Sequence, residues 1–210
     1  MPCAACFNRH KSAQFELRTH QQAQKNVDEM LDYHFEDTVH VSTLIEAIYD
    51  HITPEVLKEK IKIPLKGLNL VSYYGCLLTR PPEVTEVEHY ENPTDMDELM
   101  SALGANVIDW SYKTTCCGAS HSAVRPDIVV ELSGNIINHA KEAGADAIVV
   151  ACPLCHLNLD ARQMQMGTVE NPVPILFFTQ LIALALGIPE EAMLHKNMVD
   201  PIPLLKRYIK

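Results

Sequence analysis

The chain has 210 residues, 47% hydrophobic and 21% charged, enough apolar material for one folded domain, or one domain plus part of another, so disorder is not the default. A formal net charge of -10 without any run of Lys or Arg excludes nucleic acid as a partner, because phosphate binding needs clustered cations. The most apolar stretch, residues 173–188, is interrupted by Pro174, Thr179, Gln180 and Gly187, too short and too broken for a transmembrane segment.

The first residues, Met1-Pro2-Cys3-Ala4-Ala5-Cys6, lead into polar and basic residues instead of an apolar leader, so a cytoplasmic protein is expected. Residues 8–37 carry Ala23, Val27, Met30 and Leu31 at helical spacing and predict one long amphipathic helix. Val39 and Val41 mark a short extended piece. Ser42 or Thr43 then caps a helix bearing Leu44, Ile45, Ile48, Tyr49 and Ile52, and Thr53-Pro54-Glu55 opens another.

Residues 64–67 break the helical pattern, and 68–74 read as a strand ending at Gly75-Cys76. A Pro-rich loop leads to a helix over 95–103 and a second strand over 104–110, which runs into a loop holding Cys116-Cys117-Gly118. A helix over 126–143, a buried strand over 147–151, a helix over 153–166, a strand over 173–178 and a helix over 180–186 capped by Thr179 follow. Strands alternating with helices predict an α/β fold, a mostly parallel sheet flanked by helices. Its chemistry is expected beyond the carboxyl ends of the strands.

Cys76, Cys117 and Cys152 each fall at or after such an end, so three remote segments are expected to converge. With Cys116 and Cys155 they form the pattern C-x39-C-C-G-x33-C-x2-C. Cys3 and Cys6 form a second C-x2-C, expected to lie away from that site. In a reducing compartment such cysteines read as metal-binding or redox-active. Zinc takes four thiolates and a cubane cluster also takes four, so five favour an enlarged or split cluster, with zinc the alternative. His156 is read as a sulfur hydrogen-bond partner, a proton relay or a plain helix-surface residue, and His121 with the same ambiguity.

The pattern, together with Tyr73-Tyr74-Gly75-Cys76-Leu77-Leu78, Arg80-Pro81 and Thr179-Gln180-Leu181, resembles the cysteine-rich CCG domain found in the B subunit of heterodisulfide reductase. The resemblance implies a non-cubane [4Fe-4S] cluster on Cys76, Cys116, Cys117, Cys152 and Cys155, with Cys3 and Cys6 the last two ligands of an incomplete first site. It further implies electrons from an iron-sulfur partner subunit, originating at a flavin subunit, and reductive cleavage of a small-molecule disulfide such as that joining coenzymes M and B. Residues 67–210 would be a complete CCG domain, and 1–66 the remnant of a first one plus a helical connector. The opening cysteine and Cys-Cys-Gly of a first motif are absent, which implies a truncated product, a mis-set start or one half of a split protein. The rival function is a non-catalytic scaffold or electron-relay protein with a zinc or relay-cluster site.

Overall fold

A computed structural model describes residues 1–166 and 171–208. Its centre is a four-stranded, all-parallel sheet of order β2-β1-β3-β4, with β1 Asn69–Tyr73, β2 Asn106–Val107, β3 Ala147–Val150 and β4 Ile175–Phe177. β3 is buried along its whole length, and so is β1 apart from its first residue, because helices cover both faces of the sheet. That is why they read as continuous apolar runs.

The connecting helices are α6 Asp95–Ala102, α7 Pro126–Glu142 and α8 Pro153–Ala161, and α9 Phe178–Ala185 follows β4. α6 packs against α9, and α7 against α8, as right-handed crossovers on opposite faces require. The short helices α5 Pro82–Thr85 and α10 Ile202–Leu205 lie on the periphery. The chain leaves β1 for β2 on one side and returns to β3 on the other, so the switch point lies between β1 and β3. Their carboxyl ends there open the crevice in which α/β proteins place ligands.

The second strand is shorter than its sequence suggests. Beyond Val107 only Ile108 continues the ladder, its N–H reaching the Leu70 oxygen at 2.8 Å. The Trp110 indole then takes over, donating to the Ser72 carbonyl at 2.8 Å, and the Lys113 carbonyl accepts from the N–H groups of Tyr74 and Gly75. The segment before Cys116 is thus strapped along β1 by one side chain and one carbonyl.

The predicted 8–37 helix is two helices, α1 Ala4–Thr19 and α2 Gln21–Leu31, broken at extended His20. The apolar set Ala23, Val27, Met30 and Leu31 lies on α2, which buries no residue; Met30 is 82% exposed. α1 does bury a face, made of Ala4, Phe7, Lys11 and Gln14. Its polar members are all paired: Lys11 with Glu86, and Gln14 with the Val39 carbonyl at 2.6 Å. Asn8 donates to the carbonyls of Leu77 and Arg80, so α1 lies over the turn that follows Cys76.

α3 Leu44–Ile52 and α4 Pro54–Lys60 begin as expected. Thr43 and Glu46 form a reciprocal capping box, and Thr53 caps a helix with Pro54 at its first position. α8 stops at Ala161 and tightens into a 3-10 turn over Arg162–Gln165. α9 starts at Phe178, before the expected Thr179 cap, because the Gln180 side chain accepts from the Phe177 N–H at 2.9 Å. Among the described residues no helix is long and apolar enough to cross a membrane.

Candidate metal centre

Cys76 follows β1, Cys116 and Cys117 end the strapped loop, and Cys152 follows β3, all at the switch point. Cys155 completes the set from the first turn of α8. The Cys117 and Cys155 sulfurs are 3.6 Å apart. The Cys76 and Cys116 thiols are near enough to perturb each other's acidity, and so are Cys152 and Cys155. With the peptide joining Cys116 to Cys117, the five thiols are gathered from β1, the loop after β2 and the start of α8.

Two glycines make this approach possible. Gly75 has φ +73°, and a Cβ there would sit 2.9 Å from the Cys155 sulfur, inside any real carbon–sulfur contact. Gly118 has φ +78°, and a Cβ there would meet Leu132 at 3.1 Å and the Val129 backbone at 3.4 Å, so α7 packs directly on the turn after the paired cysteines.

The thiols differ in acidity for identifiable reasons. Cys116 is pulled down to about 6, first by the Cys76 thiol donating to it, then by the Gly118 N–H and the charge of His121. Cys152 is pulled down to about 5 by the Cys155 thiol and by the N–H groups of Cys155, Ala4 and Leu154. Cys117 is lowered by Cys155, Asn158 and the Ala119 N–H, against burial. Cys76 and Cys155 are pushed up, each chiefly by hydrogen bonding to neighbouring sulfurs. Low-pKa thiols next to N–H donors suit metal ligation, which needs thiolates.

Cys3 is not remote from this site. Burial raises the Cys3 pKa first, the Cys6 thiol adds to this, and Cys152 lies near enough to contribute as well, while the Ala4 N–H helps lower that of Cys152. The expectation of separation fails because α1 folds back over the Cys76 turn. Both C-x2-C motifs adopt one local form. Cys3 caps α1 with φ -118° and ψ 123°, Cys152 caps α8 with φ -121° and ψ 124°, and Cys6 and Cys155 each fall at the third helical position. Cys6 is exposed.

Of the two histidines, His156 is turned to the protein frame: its Nε2 lies 3.0 Å from the Ile175 carbonyl and 3.2 Å from Asn197 Nδ2. His121 is exposed and acts electrostatically on Cys116. Two residues not read as functional also reach the site. Tyr73, fully buried, donates its hydroxyl to the Thr115 carbonyl at 2.6 Å, and burial followed by the charges of Cys155, Cys117 and Cys76 pushes its pKa up. Asn158, buried one turn beyond Cys155, meets the Cys117 sulfur at 3.6 Å. Its spacing from Cys155 was the available signal.

The donor set, five thiols with N–H groups beside them, Cys117, Cys152 and Cys155 buried, Cys76 half-buried and Cys116 exposed, suits an iron-sulfur cluster. Among the described residues no three His, Cys, Asp or Glu side chains are gathered as a ready-made site for an ion.

The cysteine-rich CCG domain model matches residues 70–160, the span from β1 through α8. The chain is 33% identical over 216 residues to the B subunit of the ferredoxin:CoB-CoM heterodisulfide reductase of Methanosarcina mazei, covering 98% of this chain and 71% of that protein. The chain belongs to the family of heterodisulfide reductase B subunits. It is also 33% identical over 174 residues to the 8-methylmenaquinol:fumarate reductase membrane anchor subunit of Wolinella succinogenes, covering 81% of this chain and 61% of that one. Among solved structures, a hypothetical protein from Helicobacter pylori superposes with a TM-score of 0.64 at 12% identity, over 87% of this chain and 34% of that chain, which shows the fold.

Proposed function

We propose that this chain is the iron-sulfur subunit of a heterodisulfide-reductase-like complex, an oxidoreductase acting on sulfur. In the overall reaction one S–S bond breaks, two electrons and two protons are taken up, and two thiols leave. Cys76, Cys116, Cys117, Cys152 and Cys155 hold a non-cubane [4Fe-4S] cluster, and Cys3 and Cys6 are ligands of an incomplete first site. A cluster supplies one-electron transfer when bound. The chain's own residues supply thiolates and N–H donors around Cys116 to Gly118, with Cys117, Cys152 and Cys155 buried.

The observation that carries this reading is the convergence of three remote cysteine segments near the β1/β3 switch point, with the Cys117 and Cys155 sulfurs 3.6 Å apart, in a family whose named members are reductases. An iron-sulfur partner subunit and a flavin subunit deliver electrons, and the coenzyme M/coenzyme B heterodisulfide, named in that relative, is the first substrate to test. We place the protein in the cytoplasm, where seven free thiols stay reduced. Residues 67–210 count as the CCG domain, and 1–66 as a remnant plus helical connector.

The test is anaerobic reconstitution with iron and sulfide, followed by oxidation of reduced viologen dye on adding the heterodisulfide. The expected result is a brown chain that leaves the dye reduced alone and oxidises it once assembled with its partner subunits. Disulfide cleavage needs two electrons, whereas a cluster cycles one. A colourless zinc protein, or turnover by the isolated chain at the rate of the assembled complex, overturns the proposal.

A further inference from the structure

We propose that Asn158 is a positioning residue that clamps Cys117 through an N–H···S hydrogen bond and thereby raises the reduction potential of the group held by the five thiols, a proposal that rests on reading Cys117 as a ligand. Asn158 is only 2% exposed, and it lies three residues after Cys155 on α8, so both side chains leave the same face of the helix.

The orientation of its amide is determined by chemistry. Nδ2 lies 3.4 Å from the Cys117 carbonyl oxygen and 3.6 Å from the Cys117 sulfur, while Oδ1 accepts from the Ser122 hydroxyl at 3.0 Å. A backbone carbonyl only accepts, so a flipped amide would set oxygen against oxygen. The NH2 group carries two hydrogens, one for each Cys117 acceptor. Ser122 is itself held, because the Arg162 guanidinium at the end of α8 donates to its carbonyl at 3.1 Å. Arg162, Ser122, Asn158 and Cys117 form one relay that closes the loop after Gly118 onto α8.

Such a clamp has an electronic consequence. A neutral N–H donor on a ligand sulfur draws off electron density and stabilises the reduced, more negative state, and hydrogen bonds to sulfur are among the main ways proteins set cluster potentials. Asn158 has almost no exposed surface with which to serve a partner, and its buried amide would be costly without these contacts.

The experiment is a redox titration followed by electron paramagnetic resonance on the anaerobically reconstituted chain. Asn158→Leu removes the donor and is expected to lower the midpoint potential by a tenfold change in the reduction equilibrium, about 59 mV for one electron. Ser122→Ala, which leaves Asn158 in place without its acceptor-side anchor, is expected to shift the potential the same way by less, with iron content unchanged. A wild-type potential in Ser122→Ala together with one in Asn158→Leu overturns the proposal; should Asn158→Leu lose its iron, an unshifted Ser122→Ala alone overturns it. In the metal-free protein the Asn158 side-chain amide protons are expected to exchange slowly with deuterated water, and faster in Ser122→Ala. Fast exchange in the wild type overturns the clamp whatever the metal. Iron binding by Cys117→Ser equal to wild type would instead refute the ligand assignment.

Discussion

Replacing Gly75 with Ala tests the packing that lets Cys155 approach β1. Two costs add: the left-handed backbone at φ +73° disfavours any residue with a Cβ by about 1–2 kcal/mol, and the new carbon collides with a buried sulfur 2.9 Å away. Overpacking of this kind costs about 1–3 kcal/mol. Gly144→Ala is the matched control, because Gly144 has φ +82° and nothing within 4 Å of the added carbon, so it carries the backbone cost alone. The assay is urea unfolding of the metal-free, reduced protein. With a slope of about 2 kcal/mol per molar urea, the Gly75→Ala midpoint should fall about 0.5–1.5 M below that of Gly144→Ala. Equal midpoints for the two variants would show that the Cys155 sulfur does not occupy the space beside Gly75, and the site geometry would be wrong.

Tyr73→Phe should destabilise the metal-free protein by about 1–3 kcal/mol, because the Thr115 carbonyl loses its donor at 2.6 Å in a buried position; an unfolding curve coincident with wild type would refute that tie. Lys11→Met tests the docking of α1. The Glu86 carboxyl is held below its ordinary 4.5 first by the Lys11 hydrogen bond, so its contribution is fully present above about pH 4.5 and lost as pH falls through the lower folded value. Melting temperatures should therefore fall more steeply with acidification in the wild type than in Lys11→Met. Parallel curves would remove the pair from the account.

Much of this was legible from residues alone. Ala147–Val150 is a short apolar run between a Gly-containing turn and a Pro, and a strand covered on both faces leaves that trace. The placement of Cys76 and Cys152 followed from strand ends and the parallel topology. β2 is shorter than its apolar pattern predicts because the Trp110 indole, not a backbone N–H, pairs with Ser72, and a sequence pattern does not distinguish the two. The buried face of α1 escaped because Lys11 and Gln14 lie on it, their polar ends satisfied by Glu86 and Val39 from distant segments. α2, by contrast, carries the apolar spacing of an amphipathic helix, though it buries no residue. The nearness of Cys3 to Cys152 is a tertiary fact created by Asn8 on the Leu77 and Arg80 carbonyls, with no local signature. Asn158 has only its three-residue spacing from Cys155 as a signal, because its contact with Cys117 is made across the fold.

The most direct test of the central claim is the iron and acid-labile sulfide content of the anaerobically reconstituted chain, measured beside cysteine-to-serine variants. The account predicts about four irons per chain in the wild type. Most of that iron should be lost in each of Cys76→Ser, Cys116→Ser, Cys117→Ser, Cys152→Ser and Cys155→Ser. Nearly all of it should remain in the Cys3→Ser/Cys6→Ser double variant, which keeps the Ala4 N–H donor to Cys152. A chain that takes up one zinc and no sulfide, or that loses its iron with Cys3 and Cys6 while tolerating loss of Cys76 or Cys117, would contradict it.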